Sequence, residues 1–185
     1  MKKLSYYKLS KHPLGVGGMN ILSEFKLIKT FVFDMDGVLT DGSMLILSDT
    51  EYLRKMDIKD GYAMHVAANN GYRMVVISGS TSTPSIKRLE HLGVKDVFMG
   101  VTDKKKLLLK YFAENDLDPL QTLYMGDDIP DYCCMSVVGL SCCPADAASD
   151  IKQVVKYISP FNGGHGAVRD VIEKVLKLNG QWKLE

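Results

Sequence analysis

Short apolar runs recur along the chain and are separated by polar or glycine-containing stretches and by longer amphipathic segments. The run at 30–34 (TFVFD) is β-branched and aromatic, as expected of a strand buried on both faces. Runs at 43–47 and 52–58 flank the polar 48–50, which predicts a projecting β-hairpin. Asp60 is placed to cap a helix reaching about Asn69, which Asn70-Gly71 ends. A second buried strand is predicted at 73–78 (RMVVIS), then a helix opened by Thr83-Pro84 and stopped by Gly93. A strand at 97–99, a helix from beyond Thr102 to about Glu114 and a strand at 122–125 (TLYM) follow. A short helix within 129–137, a strand at 140–143, a helix near 147–155 and a short strand at 157–158 come next. The last helix, at about 167–178, sets Val168, Val171, Ile172, Val175 and Leu176 on one face.

This alternation predicts an α/β fold: a three-layer, Rossmann-like, mainly parallel sheet with helices on both faces, plus the hairpin. Residues 1–25 show no sustained period and are glycine-rich near 15–18, so they are expected to form an N-terminal appendage, open to disorder. The domain itself is drawn at 26–181, with the hairpin at about 43–58 and a tail segment at about 160–170. The Met-Lys-Lys start imitates a signal peptide. The apolar stretch that should follow is interrupted by Lys8, Lys11, His12, Pro13, Gly15, Gly17 and Gly18, so the cytoplasm is the default compartment. Met19 is an alternative start, which the intact mass of the native protein would decide.

Composition narrows the picture further. The chain has 185 residues, 46% apolar and 24% charged, the profile of one soluble globular domain rather than a collagen-like, low-complexity or disordered chain. Its 23 basic and 22 acidic residues leave a net charge of +1, which gives no whole-chain electrostatic support for a nucleic-acid or anionic-membrane partner. No stretch reaches the ~18 apolar residues of a membrane helix. The four cysteines form two adjacent pairs, Cys133-Cys134 and Cys142-Cys143, a spacing that suits neither a disulfide framework nor a tetrahedral zinc site. They read as small buried hydrophobes in a reducing compartment.

Ligands of open parallel sheets sit beyond the carboxyl ends of the strands, and three predicted strand ends carry polar residues. Asp34-Met35-Asp36-Gly37-Val38-Leu39-Thr40 follows the first, Ser78-Gly79 the second, and Gly126-Asp127-Asp128, with Asp131 one turn on, the TLYM strand. Lys104 opens a helix between the last two. Asp34, Asp36, Asp127, Asp128 and Asp131 meeting at one edge would repel one another unless a cation sits among them. A hard divalent ion, Mg²⁺, suits oxygen ligands of this kind. Lys104, the Ser78 hydroxyl and backbone N–H groups near Gly79 and Gly37 would hold an anion. The parts describe a phosphate site beside Mg²⁺, with Asp34 as nucleophile and Asp36 as the group that protonates the leaving oxygen and then activates water. The bland readings are turn-forming aspartates, a solvated Lys104-Lys105-Lys106 face, and helix N-terminal charges at Asp128 and Asp131.

The D-x-D-G-x-x-T run, the later serine, the lysine and the G-D-D-x-x-D run stand in the order found in haloacid dehalogenase-like phosphatases, which the chain resembles over about 28–181. Motif one extends to D-G-V-L-T-D-G, a hairpin and Ile58-Lys59-Asp60-Gly61 follow, no sizeable cap is inserted, and the tail reads Gly163-Gly164-His165-Gly166-Ala167-Val168-Arg169-Asp170. This resembles the cap-less family of 3-deoxy-D-manno-octulosonate (KDO) 8-phosphate phosphatases of lipopolysaccharide biosynthesis. The resemblance implies a homotetramer in which hairpins form a central barrel and a neighbouring subunit closes each site. It implies Asp34, the Asp36 carbonyl and Asp127 as metal ligands, and Ser78, Gly79 and Lys104 at the phosphoryl group. Asp128, Asp131 and Thr40 support these, and Asp60, Gly163, Gly164, His165 and Arg169 cover the substrate. Ser80 and Pro160 stand where many members carry arginine. That departure keeps open a nine-carbon, sialic-acid-type 9-phosphate as substrate. A non-catalytic assembly module is the reading from another class.

Overall fold

The computed structural model describes residues 20–49, 52–81 and 83–183. In chain order the elements are α1 (Ile21–Leu27), β1 (Thr30–Phe33), β2 (Leu45–Ile46), β3 (Tyr52–Leu53), α2 (Ile58–Asn69), β4 (Arg73–Ile77), α3 (Thr83–His91), β5 (Asp96–Phe98), α4 (Lys104–Asn115), β6 (Thr122–Met125), α5 (Tyr132–Met135), β7 (Leu140–Cys143), α6 (Ser149–Lys152), β8 (Tyr157–Ile158) and α7 (Ala167–Leu178). Single turns of 3₁₀ helix at Pro119–Gln121 and Ile129–Asp131 precede β6 and α5. Six strands form one sheet in the order β5-β4-β1-β6-β7-β8, and every neighbouring pair in it is parallel. The expected mainly parallel sheet with helices on both faces is what the chain forms.

Strand alternation sorts the core into two layers. Phe31 and Phe33 of β1 pack with Met74 and Val76 against the buried faces of α2, α3 and α7. Val32, Val75 and Ile77 point to the opposite face and meet Leu108 and Phe112 of α4, Cys134 of α5 and Ile151 of α6. Helix α7 buries the five apolar side chains read from its period, and each such burial stabilises by about 1.5–3 kcal/mol.

The departures have physical reasons. Residues 20–25 are not an appendage: Asn20 caps α1 with its side chain, and Phe25 is fully buried, edge-on to Tyr157. Residues 1–19 of the expected appendage lie outside the described residues. Asp57, not Asp60, caps α2 by accepting from the Lys59 and Asp60 amides. The short helix expected within 129–137 is present as α5, and it begins at Tyr132 because Pro130 and the Asp128 cap set a 3₁₀ turn first. Among the described residues the hairpin strands pair only with each other, joined to motif one by a bridge between Thr40 and Met56.

Candidate active site

Strand β1 is central, with β4 on one side and β6 on the other, so the chain departs in opposite directions from its carboxyl end. Asp34, Ser78 and Asp127 follow those three strands within two residues. Asp34 and Ser78 line a cavity of about 440 Å³ together with Asp36, Gly79, Ser80 and Lys104 among others, and an Asp127 oxygen lies within 4.8 Å of one from Asp34.

Lys104 is nearly inaccessible and sits between two carboxylates, with Nζ 2.9 Å from Asp34 Oδ1 and 2.8 Å from Asp131 Oδ1. Burial alone would lower its pKa, but Asp131 and Asp34 outweigh burial and raise it. Asp103 caps α4 by accepting from the Lys106 amide and so fixes where Lys104 emerges. The bland reading of the lysine run holds for Lys106, which is exposed. Burial, with the Asp131 charge, raises the Asp34 carboxyl to about 6 against the opposing pull of Lys104.

Asp131 is a fully used support. Its Oδ1 accepts from Lys104 and from Tyr124 Oη at 2.6 Å, and its Oδ2 accepts from the Asp127 amide at 3.1 Å. Tyr124 was missed by sequence reading; its signal was a phenol inside a strand otherwise buried among apolar groups. Asp127 is different. Burial and the charges of Asp34, Asp131 and Asp128 push it up to about 7, with Lys104 a weaker opposing influence. The oxygens of Asp34, Asp127 and Asp131 lie within 4.8 Å of one another. Clustered oxygen donors without thiol or imidazole, one of them destabilised as an anion, fit a hard divalent cation.

Asp36 leaves the strand end and is partly exposed. It accepts from Arg54 Nε and Nη2 at 2.6 and 3.1 Å and from Ser80 Oγ at 2.8 Å. Burial opposes ionisation, but these hydrogen bonds win and hold Asp36 below the usual carboxylate range. Arg54 was not singled out in the sequence, because its partner lies across the hairpin, 18 positions away. Ser78 Oγ lies 2.9 Å from Ser80 Oγ and accepts from the Ser80 amide. Thr40 is buried and accepts from the Gly37 and Gly42 amides, which closes the motif-one loop. Gly37 adopts φ +80°, and a Cβ there would collide with the Asp127 carboxylate, so only glycine lets motif one and Asp127 converge.

Like Asp127, Asp131 and Thr40, the remaining candidates are not among the residues that line this cavity. Asp128 is exposed and caps the following 3₁₀ turn through the Ile129 amide. Asp60 is buried and accepts from the Gly166 and Arg169 amides at 3.2 and 2.7 Å, so it caps α7 from α2. Gly163 and Gly164 are buried against the backbone of Gly37, Thr40 and Asp41, with the Gly164 amide donating to the Val38 carbonyl. They brace the motif-one loop. His165 contacts the Gly163 carbonyl, and Arg169 pairs with Glu173 and lies 5.2 Å from the Trp182 ring centroid. Both border a separate cavity between α2 and α7. Cys133 lines the catalytic cavity and is exposed, whereas Cys134, Cys142 and Cys143 are buried as read; all four thiols are free.

Comparison with known proteins agrees with this geometry. A 3-deoxy-D-manno-octulosonate 8-phosphate phosphatase of Yersinia pestis is 30% identical over 149 residues, 80% of this chain and 80% of the relative. The chain belongs to this phosphatase family. Residues 90–172 also match the haloacid dehalogenase-like hydrolase family. The Escherichia coli K12 phosphatase is 28% identical over 162 residues, covering 88% of this chain and 86% of the relative. The crystal structure of the Yersinia pestis phosphatase superposes with a TM-score of 0.84 at 28% identity, covering 87% of each chain. A Moraxella catarrhalis phosphatase, solved with magnesium, phosphate and KDO, gives a TM-score of 0.82 at 28% identity over 85% of this chain and 91% of that one. The family and the fold are therefore those recognised from the residues alone.

Proposed function

We propose that the chain is a Mg²⁺-dependent phosphatase that hydrolyses a phosphorylated 2-keto-3-deoxy sugar acid, KDO 8-phosphate, to KDO and phosphate in lipopolysaccharide biosynthesis. The observation that carries the reading is Lys104 clamped between Asp34 and Asp131, with the Asp127 carboxylate in the same cluster, in a cavity that Asp34, Asp36 and Lys104 line together. Asp34, Asp127 and the backbone carbonyl of Asp36 would hold the ion. When bound, Mg²⁺ supplies positive charge to the phosphoryl oxygens and relieves the repulsion between the carboxylates.

The chain's own groups divide the reaction as follows. An Asp34 oxygen attacks phosphorus, forming an aspartyl-phosphate as the ester P–O bond breaks. Asp36 in its acid form donates a proton to the leaving sugar oxygen. The Asp36 carboxylate then takes a proton from water as the water oxygen attacks phosphorus and Asp34 is released. Lys104, with Ser78 and the Gly79 backbone, holds the phosphoryl oxygens in place. The Arg54–Asp36 pairing describes the carboxylate form that the second half of the reaction needs.

The exposed apolar hairpin supports a homotetramer, in which strands from several copies complete a barrel. Free cysteines support work in the cytoplasm. No helix among the described residues is long and apolar enough to cross a membrane. The test is phosphate release from KDO 8-phosphate, nine-carbon 9-phosphates and neutral hexose phosphates, with and without Mg²⁺. Wild type should prefer KDO 8-phosphate, and Asp34→Asn should lose at least about a thousandfold in kcat. An Asp34→Asn protein as fast as wild type would remove the nucleophile assignment, and preference for a nine-carbon ester would replace the substrate.

A further inference from the structure

Arg54 follows β3 directly, on a hairpin that exposes Leu45, Ile46 and Leu53, yet its own side chain is 3% exposed. Its Cζ lies 4.9 Å from the Tyr52 ring centroid, and Tyr52 is itself tied down by donating to the Thr81 carbonyl at 2.7 Å. Two of the three guanidinium nitrogens are committed to Asp36. The third, Nη1, is buried and has no hydrogen-bond acceptor among the described residues. A charged donor stripped of water and left unpaired bears its full desolvation cost, so this nitrogen calls for an acceptor that the described residues do not provide.

The partners of Arg54 indicate the acceptor. Asp36 and Ser80, both lining the catalytic cavity, hydrogen-bond in a chain that ends on Arg54. Among the residues lining that cavity, Lys104 is the one cation, and Asp34 and Asp131 already engage it at the phosphoryl end. A phosphorylated sugar acid brings a second anionic group, its carboxylate, away from the phosphate. Ser80, short and neutral, offers it no charge. A guanidinium suits the task because its planar fork serves two acceptors at once, whereas a lysine has a single nitrogen.

We propose that Arg54 is a specificity-determining residue that holds Asp36 through Nε and Nη2 and takes the substrate carboxylate on Nη1. This rests on the phosphatase reading above. The test compares wild type, Arg54→Lys and Arg54→Ala on KDO 8-phosphate and on p-nitrophenyl phosphate, which lacks a carboxylate. Inhibition by free KDO and by inorganic phosphate is measured in parallel. Both variants should lose at least about tenfold more in kcat/KM on the sugar-acid ester than on the carboxylate-free ester, chiefly through KM. The inhibition constant for free KDO should rise by a similar factor, and that for phosphate by less than about twofold. Arg54→Lys keeps a charge facing Asp36 and carries the test if Arg54→Ala does not fold. Equal losses on both esters, with the two inhibition constants moving together, would overturn the proposal and leave Arg54 as a support for Asp36 alone. No loss on either ester would overturn it as well. A wild type that ignores KDO 8-phosphate but cleaves p-nitrophenyl phosphate would instead remove the substrate reading, and the Arg54 assignment with it.

Discussion

The carboxyl edge of the sheet and the hairpin that projects beside it answer opposite problems. At the sheet edge charge is concentrated and buried, and nearly every charged atom has a partner within the chain: Lys104 with Asp34 and Asp131, Asp131 with Tyr124 and the Asp127 amide. Asp127 is the group left over, raised to about 7 by burial and its acidic neighbours. In the hairpin, apolar surface is left over instead: Leu45 is 62% exposed and Ile46 72%, with Met44, Leu47 and Leu53 exposed beside them. Each region is incomplete in the chemistry it has in excess. The buried edge holds more carboxylates than Lys104 can balance, which suits a small cation, and the exposed apolar hairpin suits an apolar partner such as the further copies proposed above. Arg54 joins the two, since it grows from the hairpin and ends on Asp36.

Substitutions should separate these regions by size of effect. Lys104→Met removes the cation from a buried triad and should destabilise by about 3–5 kcal/mol, with phosphatase activity abolished; thermal unfolding and kcat report the two losses. A sheet edge that tolerated Lys104→Met with wild-type stability would mean that its charges are solvated after all. Gly163→Ala comes next. A Cβ at that position meets the Gly37 backbone carbonyl, which has no flexible end to move aside, so a loss of about 2–3 kcal/mol is expected together with a fall in kcat. A neutral result at Gly163 would show the tail and motif-one loop to be less closely braced than their packing requires.

Asp60 gives a pH-dependent effect away from the metal-binding carboxylates. Burial raises it to about 6 against the hydrogen bonds from the Arg169 and Gly166 amides. Because the folded-state value is raised, the folded protein holds the proton more tightly than the unfolded chain. Stability from this group is fully present below about pH 4 and is lost as pH rises to about 6. Asp60→Asn keeps an oxygen facing both amides without the charge, so its stability should fall by about 2 kcal/mol less than wild type across that window. Parallel pH profiles of unfolding for the two proteins decide it. The smallest effect on folding belongs to Ile46→Ser with Leu45→Ser, which should change chain stability by less than about 0.5 kcal/mol while shifting the assembly toward monomer in light scattering. A protein that is monomeric before the substitution would break the contrast drawn above.

What was legible in the residues was local. Strand runs such as TFVFD and TLYM, the Thr83-Pro84 helix start and the single apolar face of α7 follow from period and capping, which act over a few neighbours. The motif order was legible as well, because parallel sheets bring strand ends to one edge whatever the intervening sequence. Asp34, Ser78, Lys104 and Asp127 thus converge as their spacing predicted. The choice among nearby groups was not legible. Asp57 rather than Asp60 caps α2, because Asp60 is taken by two α7 amides more than a hundred residues away. Residues 20–25 joined the core because Phe25 found Tyr157. Gly163 and Gly164 turned inward because motif one leaves room for backbone and nothing larger. Arg54 met Asp36 across a hairpin whose turn and twist no periodicity records. Local rules set which element each stretch becomes. Which polar atom satisfies which other depends on long-range packing, where burial makes every unpaired group costly and only the assembled fold decides the pairing.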